Sequence, residues 1–485
     1  MANLTEAPEI DKRNAAMKTR TNHRWATQAA LAGAMLLASL GTSITSVALP
    51  TLSRAFSASL SSIQWVVLAY LIAATVAIVL AGRLGDMFGH RQVLLAGLTL
   101  FAIASVACAT APTLGVLIAA RAAQGVGGAI LMALPMSIAR DAVKEEQLGA
   151  AMGLLGTMSA VGTALGPSLG GVLVAALGWR AVFLPLAGIA VLVLGLVLLA
   201  ISPPAARVGK VGASLDWPGA AVLALSLTAY SLATAGGRAG VAGAASLYLL
   251  IAVIGLALFV RIETRTSAPL VSVAMLRKRE ISASLAMNGI ASTAMMSTLI
   301  VGPFFLALGL HLNAAAVGLV MAVGPVTSAL AGIPAGRLTD LFGAPRMLVV
   351  GLAQMTIGLV SLALLPLAFG IAGYAVALVL LTPGYQLFLA ANNASAMLFA
   401  PDQQRGMLSG LLGLSRNLGF MTGASVMATL FAGLVGIEPI ANATADGIGH
   451  AFAATFVVAA GMTSVALLLA VWIWAKPAAA KQAAT

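Results

Sequence analysis

Long apolar runs recur along almost the whole chain, and they limit the fold more than any other feature. A helix needs about 20 mostly apolar residues to cross the hydrocarbon core of a bilayer. The chain contains fourteen such runs. They cover 27–49, 62–82, 92–110, 113–138, 148–175, 180–201, 217–237, 243–261, 281–310, 314–335, 346–369, 373–399, 406–432 and 451–475. The pattern predicts an all-α membrane protein with fourteen transmembrane helices.

Charged residues are too few to cover a surface that faces water. They make up 8% of the chain, whereas a soluble domain carries roughly 25%. Most of the surface is therefore expected to contact lipid. The single cysteine, Cys108, lies inside an apolar run, so an intramolecular disulfide is excluded.

Basic residues predict how the helices are oriented. The formal net charge of +12 would suggest nucleic acid in a soluble protein. Here 21 of the 26 Lys and Arg residues fall in the tails and in loops on one side of the predicted membrane. Cytoplasmic loops carry the Lys/Arg excess of membrane proteins. We therefore expect both termini in the cytoplasm and no nucleic-acid partner.

Two sequence repeats indicate duplicated halves. The stretch GRLGDMFG at 82–89 recurs as GRLTDLFG at 336–343, about 255 residues later. Because a second repeat follows in the same order and at a similar spacing, the first six predicted helices correspond to the last six. The second repeat pairs 153–156 (GLLG) with 410–413, and Gly162 and Gly166 with Gly419 and Gly423.

The repeat predicts five parts of the chain. Two six-helix bundles are separated by a linker with two extra helices, which we expect to act as a spacer or a lipid-facing flank. The parts are a cytoplasmic tail (1–26), the N-terminal bundle (27–201), the linker (202–280, with helices at about 217–237 and 243–261), the C-terminal bundle (281–475) and a second cytoplasmic tail (476–485).

Two arginines are predicted to lie deep in the membrane without an acidic partner. Arg121 and Arg416 fall at comparable depth in the fourth and thirteenth runs, while all 14 Asp and Glu residues fall in tails, loops or helix ends. A charge at the bilayer centre costs about 2.5–3.5 kcal/mol on insertion scales. Arg121 should therefore face a water-filled cavity or a partner, and a cavity that contains both arginines would be positive. The alternative for Arg121 is a structural arginine that snorkels or is capped by backbone carbonyls.

Several uncharged polar residues also fall deep in the predicted spans. Polar groups in lipid need partners, so we expect some to bond a neighbouring helix and others to line the pathway. The candidates for the substrate or ion pathway, besides the two arginines, are Gln124, Asn288, Tyr385, Gln386, Asn392, Asn393 and Asn417.

The loop 82–91 (GRLGDMFGHR) resembles the signature loop of the major facilitator superfamily, glycine-x-leucine-x-aspartate-x-x-glycine followed by basic residues. It departs from that pattern at Met87 and His90. The resemblance implies a latch on the cytoplasmic side, and Arg91 is close enough in sequence to pair with Asp86. The latch residues would be Gly82, Asp86, Gly89, Arg91, Gly336, Asp340, Gly343 and Arg346.

Two further stretches resemble motifs of the same superfamily. The stretch 121–128 (RAAQGVGG) resembles its second motif, a mid-membrane arginine followed by glutamine and glycine. The stretch 162–171 resembles its antiporter motif, which marks exporters more than importers, and its proline should kink the helix. The residues of this motif would be Gly162, Gly166, Pro167, Gly170 and Gly171.

The end of the first predicted helix is similar to that of the fourteen-helix drug:proton antiporters, which close this helix on a similar valine-alanine-leucine-proline. In this chain the segment is 47–50 (VALP). Many of those proteins carry an aspartate where this chain has Gly41. The resemblance implies a major-facilitator-type fold of two six-helix bundles plus two inserted helices, with a substrate site between the bundles.

The residues and the resemblance together predict a transporter in a bacterial inner membrane that exports small amphipathic compounds by alternating access. Protons are the candidate co-substrate, and a positive cavity favours neutral, zwitterionic or anionic cargo over cations. An uncoupled facilitator or importer of a small organic solute is the alternative. We expect a monomer in the lipid bilayer, no cofactor and no enzyme activity. The G-x-S-x-G pattern at 166–170 lies in a spanning helix, where a hydrolase elbow cannot form.

Overall fold

The computed structural model of the chain describes residues 26–142, 145–201, 217–235, 242–266, 275–399, 405–437 and 439–482. These residues form helices joined by short turns, and no strand occurs among them. The expected all-α fold is confirmed. Except for Ala26, the predicted N-terminal tail lies outside the described residues.

Fourteen long helices lie in the described residues, as predicted. We number them in chain order. They are α1 (26–43), α2 (Trp65–Phe88), α3 (His90–Ala109), α4 (Leu114–Ala142), α5 (Glu145–Leu177), α6 (Leu184–Ala200), α7 (Trp217–Ala235), α8 (Ala242–Glu263), α9 (Arg279–Phe304), α10 (Ala314–Phe342), α11 (344–369), α12 (371–398), α13 (Arg405–Thr422, continued by Gly423–Met427 and Ala428–Val435) and α14 (Ala445–Gln482).

Length and composition qualify these helices as membrane spans. In the described part of the chain, eleven helical stretches are long and apolar enough to cross a bilayer. One of them, Ala344–Leu398, contains both α11 and α12, because Gly370 breaks it with φ 54°. Two shorter apolar stretches, Val161–Leu177 and Pro218–Thr234, belong to α5 and α7. Together they account for all fourteen helices.

The first helix ends earlier than its apolar run. The run was expected to be helical to residue 49, but α1 stops at 43 and the chain continues through a 3₁₀ segment, Ser46–Ala48, into a short helix, Leu49–Ala55. Pro50 lies in the first turn of that short helix. Because proline lacks a backbone N–H, it is well placed in the first turn of this short helix. The break in α1 itself comes earlier, at the turn formed by residues 44–45.

The two bundles pack in parallel ways. In the N-terminal bundle, α4 packs against α2 and α3, and α3 against α6. In the C-terminal bundle, α9 packs against α13 and α14, and α10 packs against the α11–α12 pair. The inserted α7 packs against α8 and also contacts α2 and α13, one helix from each bundle.

Repeated glycines produce the same close contact in each bundle. A Cβ atom on Gly162 would lie 2.3 Å from the carbonyl oxygen of Leu36 in α1. A Cβ atom on Gly419 would lie 2.3 Å from the carbonyl oxygen of Gly289 in α9. Small residues let helix backbones approach closely in a membrane. The repeat read from the sequence therefore corresponds to equivalent packing of α5 on α1 and of α13 on α9.

The bundles contact each other near the ends of helices that are predicted to face outward. A Cβ atom on Gly171 would lie 2.4 Å from the carbonyl oxygen of Ala314, and one on Gly318 would lie 2.3 Å from that of Pro167, so the backbones of α5 and α10 touch. The short helix Leu49–Ala55 also packs against α9. In this conformation the two bundles therefore meet on the predicted outer side.

Candidate functional site

Arg121 is enclosed in the N-terminal bundle rather than exposed to a cavity. The residue is fully buried. Its Nε atom donates to the carbonyl oxygen of Val66 on α2 at 2.9 Å, and its Nη1 atom donates to that of Gly41 on α1 at 3.1 Å. The guanidinium carbon also lies 4.3 Å from the centre of the Tyr70 ring. Backbone dipoles and a cation–π contact thus replace the missing carboxylate.

Gln124 belongs to the same enclosed network. Its side-chain oxygen accepts a hydrogen bond from Nη1 of Arg121, and its Nε2 atom donates to the hydroxyl of Ser105 on α3 at 2.7 Å. Gln124 is fully buried as well. The network joins α1, α2, α3 and α4. Arg121 therefore has the geometry of a structural arginine held by carbonyls, the alternative that the sequence left open, and Gln124 supports it.

Gly41 lies beside this network, at a position with no room for a side chain. A Cβ atom there would lie 2.8 Å from the Phe101 ring. Phe101 is fully buried, so the space next to Gly41 is already filled. One donor of the cation, Nη2 of Arg121, has no hydrogen-bond partner among the described residues. The position where similar antiporters carry an aspartate is therefore packed with an aromatic ring in this chain.

Arg416 has very different surroundings on α13. It is only half-buried, yet its Nε atom is shielded from solvent and has no hydrogen-bond partner among the described residues. Asn417, its neighbour in the chain, is half-buried too. Arg416 is thus a cation with unused hydrogen-bonding capacity.

Polar residues of the C-terminal bundle mostly bond neighbouring helices. Asn288 on α9 donates from Nδ2 to the carbonyl oxygen of Leu412 on α13 at 2.7 Å. Asn392 on α12 accepts a hydrogen bond from the hydroxyl of Ser284 at 2.8 Å and is fully buried. These two amides hold α9 against α13 and α12. Their contacts are those of interhelical glue rather than of free lining groups.

The other predicted lining residues of α12 divide into two groups. Tyr385 is buried, and its hydroxyl is 3.4 Å from that of Ser292 on α9. Gln386 is half-buried and donates to the hydroxyl of Ser328 on α10. Asn393, in contrast, is exposed. Of the predicted pathway residues, Arg416, Asn417, Gln386 and Asn393 are therefore the ones that keep accessible surface in this conformation.

The two latch loops have the same backbone geometry. Gly89 (φ 91°, ψ 127°) separates α2 from α3, and Gly343 (φ 86°, ψ 138°) separates α10 from α11. Each turn is a single residue long, and glycine is suited to it because it adopts such angles without strain. Gly82 and Gly336 lie within α2 and α10, and no atom outside their own helix comes within 4 Å of a Cβ placed on either.

The charged latch residues have different surroundings in the two loops. Arg91 donates from Nε to the carbonyl oxygen of Ile201 and from Nη2 to that of Leu198, so it caps the C-terminus of α6. The side chain of Asp86 lies outside the described part. Asp340 and Arg346 are exposed and form no ion pair among the described residues. The latch role stays a prediction for all eight residues.

The antiporter motif contacts two different helices. Gly162, Gly166 and Gly170 face α1, where Cβ atoms would approach the backbone of residues 36–44. Gly171 faces α10 in the other bundle, and the carbonyl of Pro167 contacts Gly318 there. The motif thus packs α5 within its own bundle and against the second bundle.

Sequence reasoning missed the partners of these residues. Tyr70, Ser105, Ser284 and Ser328 are ordinary members of apolar runs, and nothing in their local sequence distinguishes them. Two hydrogen bonds that join α7 to α13, Tyr230 to Thr422 and Thr429 to the carbonyl of Thr234, were missed for the same reason. Helix periodicity predicts which residues share a face, but it does not predict which helix that face meets.

Sequence comparisons agree with the architecture. The family model of the Major Facilitator Superfamily matches this chain twice, over residues 31–280 and 281–485. The chain is 28% identical over 402 residues to the riboflavin transporter RibZ of Clostridioides difficile, covering 82% of this chain and 86% of the relative. It is 28% identical over 449 residues to the multidrug efflux pump LfrA of Mycolicibacterium smegmatis, covering 90% and 88%.

A solved structure shares the fold. The bacterial homologue of the human lysosomal transporter Spinster, in an inward-facing and occupied conformation, superposes with a TM-score of 0.66 at 15% identity, over 92% of this chain and 97% of the other. The chain belongs to the major facilitator superfamily. It is a multi-pass integral protein of the bacterial plasma membrane, and its relatives include multidrug efflux pumps.

Proposed function

We propose that this transporter exports small amphipathic compounds by alternating access, and that its substrates are neutral, zwitterionic or anionic rather than cationic. The observation that carries the proposal is Arg416, a half-buried cation on α13 that forms no ion pair with a carboxylate among the described residues. A guanidinium donates well to carboxylates and carbonyls and repels cations.

The rest of the interior supports the same charge preference. No Asp or Glu lies in the middle of a span, so no carboxylate is available there to neutralise a cationic drug. The polar groups that remain accessible near α12 and α13 belong to neutral residues, Asn417, Gln386 and Asn393. A cation bound beside Arg416 would be opposed by its charge in a medium of low dielectric constant.

Export is supported by the relatives and by the antiporter motif. The similarity to an efflux pump extends over 90% of the chain. Gly171 in the motif lies where α5 and α10 touch, which is the contact that must open when the outer side opens. Proton linkage would then need a route other than an intramembrane carboxylate.

The test uses proteoliposomes with an inside-acid pH gradient and three fluorescent probes of different charge: riboflavin (neutral), carboxyfluorescein (anionic) and ethidium (cationic). We expect transport of at least one of the first two and none of ethidium. Arg416→Gln should reduce that transport at least tenfold, whereas Arg416→Lys should retain part of it. Arg265→Gln, which removes an exposed charge after α8, is the matched control and should change nothing.

Two outcomes would overturn the proposal. If the protein transported ethidium, and Arg416→Gln transported it at the wild-type rate, the protein would be an ordinary pump for lipophilic cations. The second candidate, an uncoupled facilitator, would be indicated if probe transport left the pH gradient unchanged and if probe exchange continued in vesicles without a pH gradient. That candidate is favoured by the missing carboxylate and by the similarity to a riboflavin transporter.

A further inference from the structure

A long groove lies between the N-terminal bundle and the inserted helix α7. Its volume is about 480 Å³. Eight residues of α2, four of α4 and two of α7 line it. Nearly all of the lining is apolar, and its one hydroxyl group, that of Thr228, donates back to the carbonyl oxygen of Ala224 at 2.8 Å within α7. The groove therefore offers water few groups to bond.

The groove extends through most of the predicted membrane thickness. Its lining on α2 runs from Trp65 to Leu84. At a rise of about 1.5 Å per residue, this segment is roughly 28 Å long, close to the roughly 30 Å hydrocarbon core. Trp65 begins α2 on the predicted outer side, where aromatic residues mark the membrane interface. The groove thus runs along the predicted membrane normal and is not confined to one leaflet.

Small side chains create the groove. Ala69, Ala73 and Ala77 recur at every fourth position of α2, so they lie on one face of the helix. Ala122 of α4 and Ala224 of α7 border the same space. Side chains of this size cannot fill the distance between three helices. The empty volume would cost dispersion energy unless other apolar matter filled it.

The third wall of the groove, α7, is hydrogen-bonded to the C-terminal bundle. The hydroxyl of Tyr230 on α7 lies 2.9 Å from that of Thr422 on α13. The hydroxyl of Thr429 on α13 donates to the carbonyl oxygen of Thr234 on α7 at 2.8 Å. Because these two bonds tie α7 to α13, the width of the groove depends on the distance between the N-terminal and C-terminal bundles. This contact revises the expected role of α7 as a spacer or lipid-facing flank.

From these features we infer that the groove holds an acyl chain of a bilayer phospholipid, lying parallel to α2. The surrounding solvent at this depth is hydrocarbon, the lining is apolar, and the long axis follows the chain direction of lipids. A volume of about 480 Å³ is within the roughly 300–1,000 Å³ of ordinary ligand sites. The bound chain fills the gap between α7 and the N-terminal bundle, whatever compound the protein transports.

Tryptophan fluorescence tests this site directly, because Trp65 lines the groove. A protein that keeps Trp65 and has the other five tryptophans replaced by phenylalanine is reconstituted in phosphatidylcholine vesicles with brominated acyl chains. A second protein keeps only Trp472, which is 54% exposed on α14. Bromine atoms on the acyl chains quench the fluorescence of both tryptophans. We expect Ala73→Phe, which fills the groove, to reduce quenching of Trp65 at least twofold and to leave that of Trp472 unchanged.

The matched control is Ala257→Phe, because Ala257 is exposed on α8 and lies outside the groove lining. It should leave quenching of Trp65 as it was, and size-exclusion profiles identify any variant that fails to fold. Ala122→Leu fills the groove from α4 and gives a second, milder variant. Three results would overturn the inference: equal quenching of Trp65 in both phenylalanine variants, stronger quenching by aqueous iodide than by brominated lipid, or saturable relief of quenching by riboflavin or ethidium.

Discussion

The two intramembrane arginines look alike in the sequence but differ in the structure. Arg121 in the N-terminal bundle is fully buried and held by two backbone carbonyls, Gln124 and the Tyr70 ring. Arg416 in the C-terminal bundle is half-buried. Each arginine has one guanidinium nitrogen without a hydrogen-bond partner among the described residues, so the two differ in exposure and in the other contacts that hold the side chain.

A further difference lies in the helices themselves. In the described residues the C-terminal bundle has two π-helical segments, Phe305–Gly309 after α9 and Gly423–Met427 within α13. Such segments are frequent at functional sites, because they interrupt the regular hydrogen bonds of a helix. The second one begins seven residues after Arg416 on the same helix. The less regular bundle is thus also the one with the accessible cation.

The largest expected effect is on Arg121. Hydrogen bonds to charged groups contribute about 1.5–3 kcal/mol each, so Arg121→Leu should lower the free energy of unfolding by about 3 kcal/mol or more and abolish transport of every probe. Equilibrium unfolding in mixed micelles measures this loss. If Arg121→Leu instead kept wild-type stability and altered only charge selectivity, the contrast between the two arginines would be broken.

Next in size is the effect of filling the repeated glycine contacts. Gly166→Ala places a methyl group against the Ser43 side chain, and Gly423→Ala places one against the backbone of Thr293. Overpacking of this kind costs about 1–3 kcal/mol. Similar losses are expected at both positions in the same unfolding measurement. Gly413→Ala, where a Cβ meets nothing within 4 Å, is the control and should be neutral or slightly stabilising.

The one-residue loops should show a smaller but matched effect. Gly89→Ala and Gly343→Ala place a side chain at φ 91° and φ 86°, which should cost about 1 kcal/mol or more in each case. Gly82→Ala, in a helical position with free space, serves as the reference. If the two substitutions lowered the free energy of unfolding by different amounts, only one of the two loops would contribute to stability through its glycine.

The smallest effect on stability is expected at Arg416. Because its Nε atom has no protein partner to lose, Arg416→Gln should change the free energy of unfolding by less than about 1 kcal/mol. The thermal midpoint in detergent gives a quick comparison with Arg121→Leu. Strong destabilisation would make Arg416 a second structural arginine and remove it as the ligand-binding cation.

Helix number and internal duplication could be read from the chain, and the orientation of the helices stays a prediction. Apolar runs, the Lys/Arg pattern and the two repeats each depend on local composition, which the bilayer constrains strongly. The break at Gly370 falls between the predicted runs 346–369 and 373–399, so hydropathy placed it correctly. The end of α1 was predicted less well, because the turn at 44–45 lies inside an apolar run and leaves no mark in hydropathy.

The sequence by itself determined that the chain is a membrane protein of two related bundles, because hydrophobic length and glycine spacing are local properties. Only the tertiary structure decided what each polar residue does. Arg121 met carbonyls of α1 and α2, Arg91 met the end of α6, and α7 bonded α13 across the boundary between the bundles. A charge or a hydroxyl shows in the sequence that a partner is needed, but helix packing selects which partner it finds.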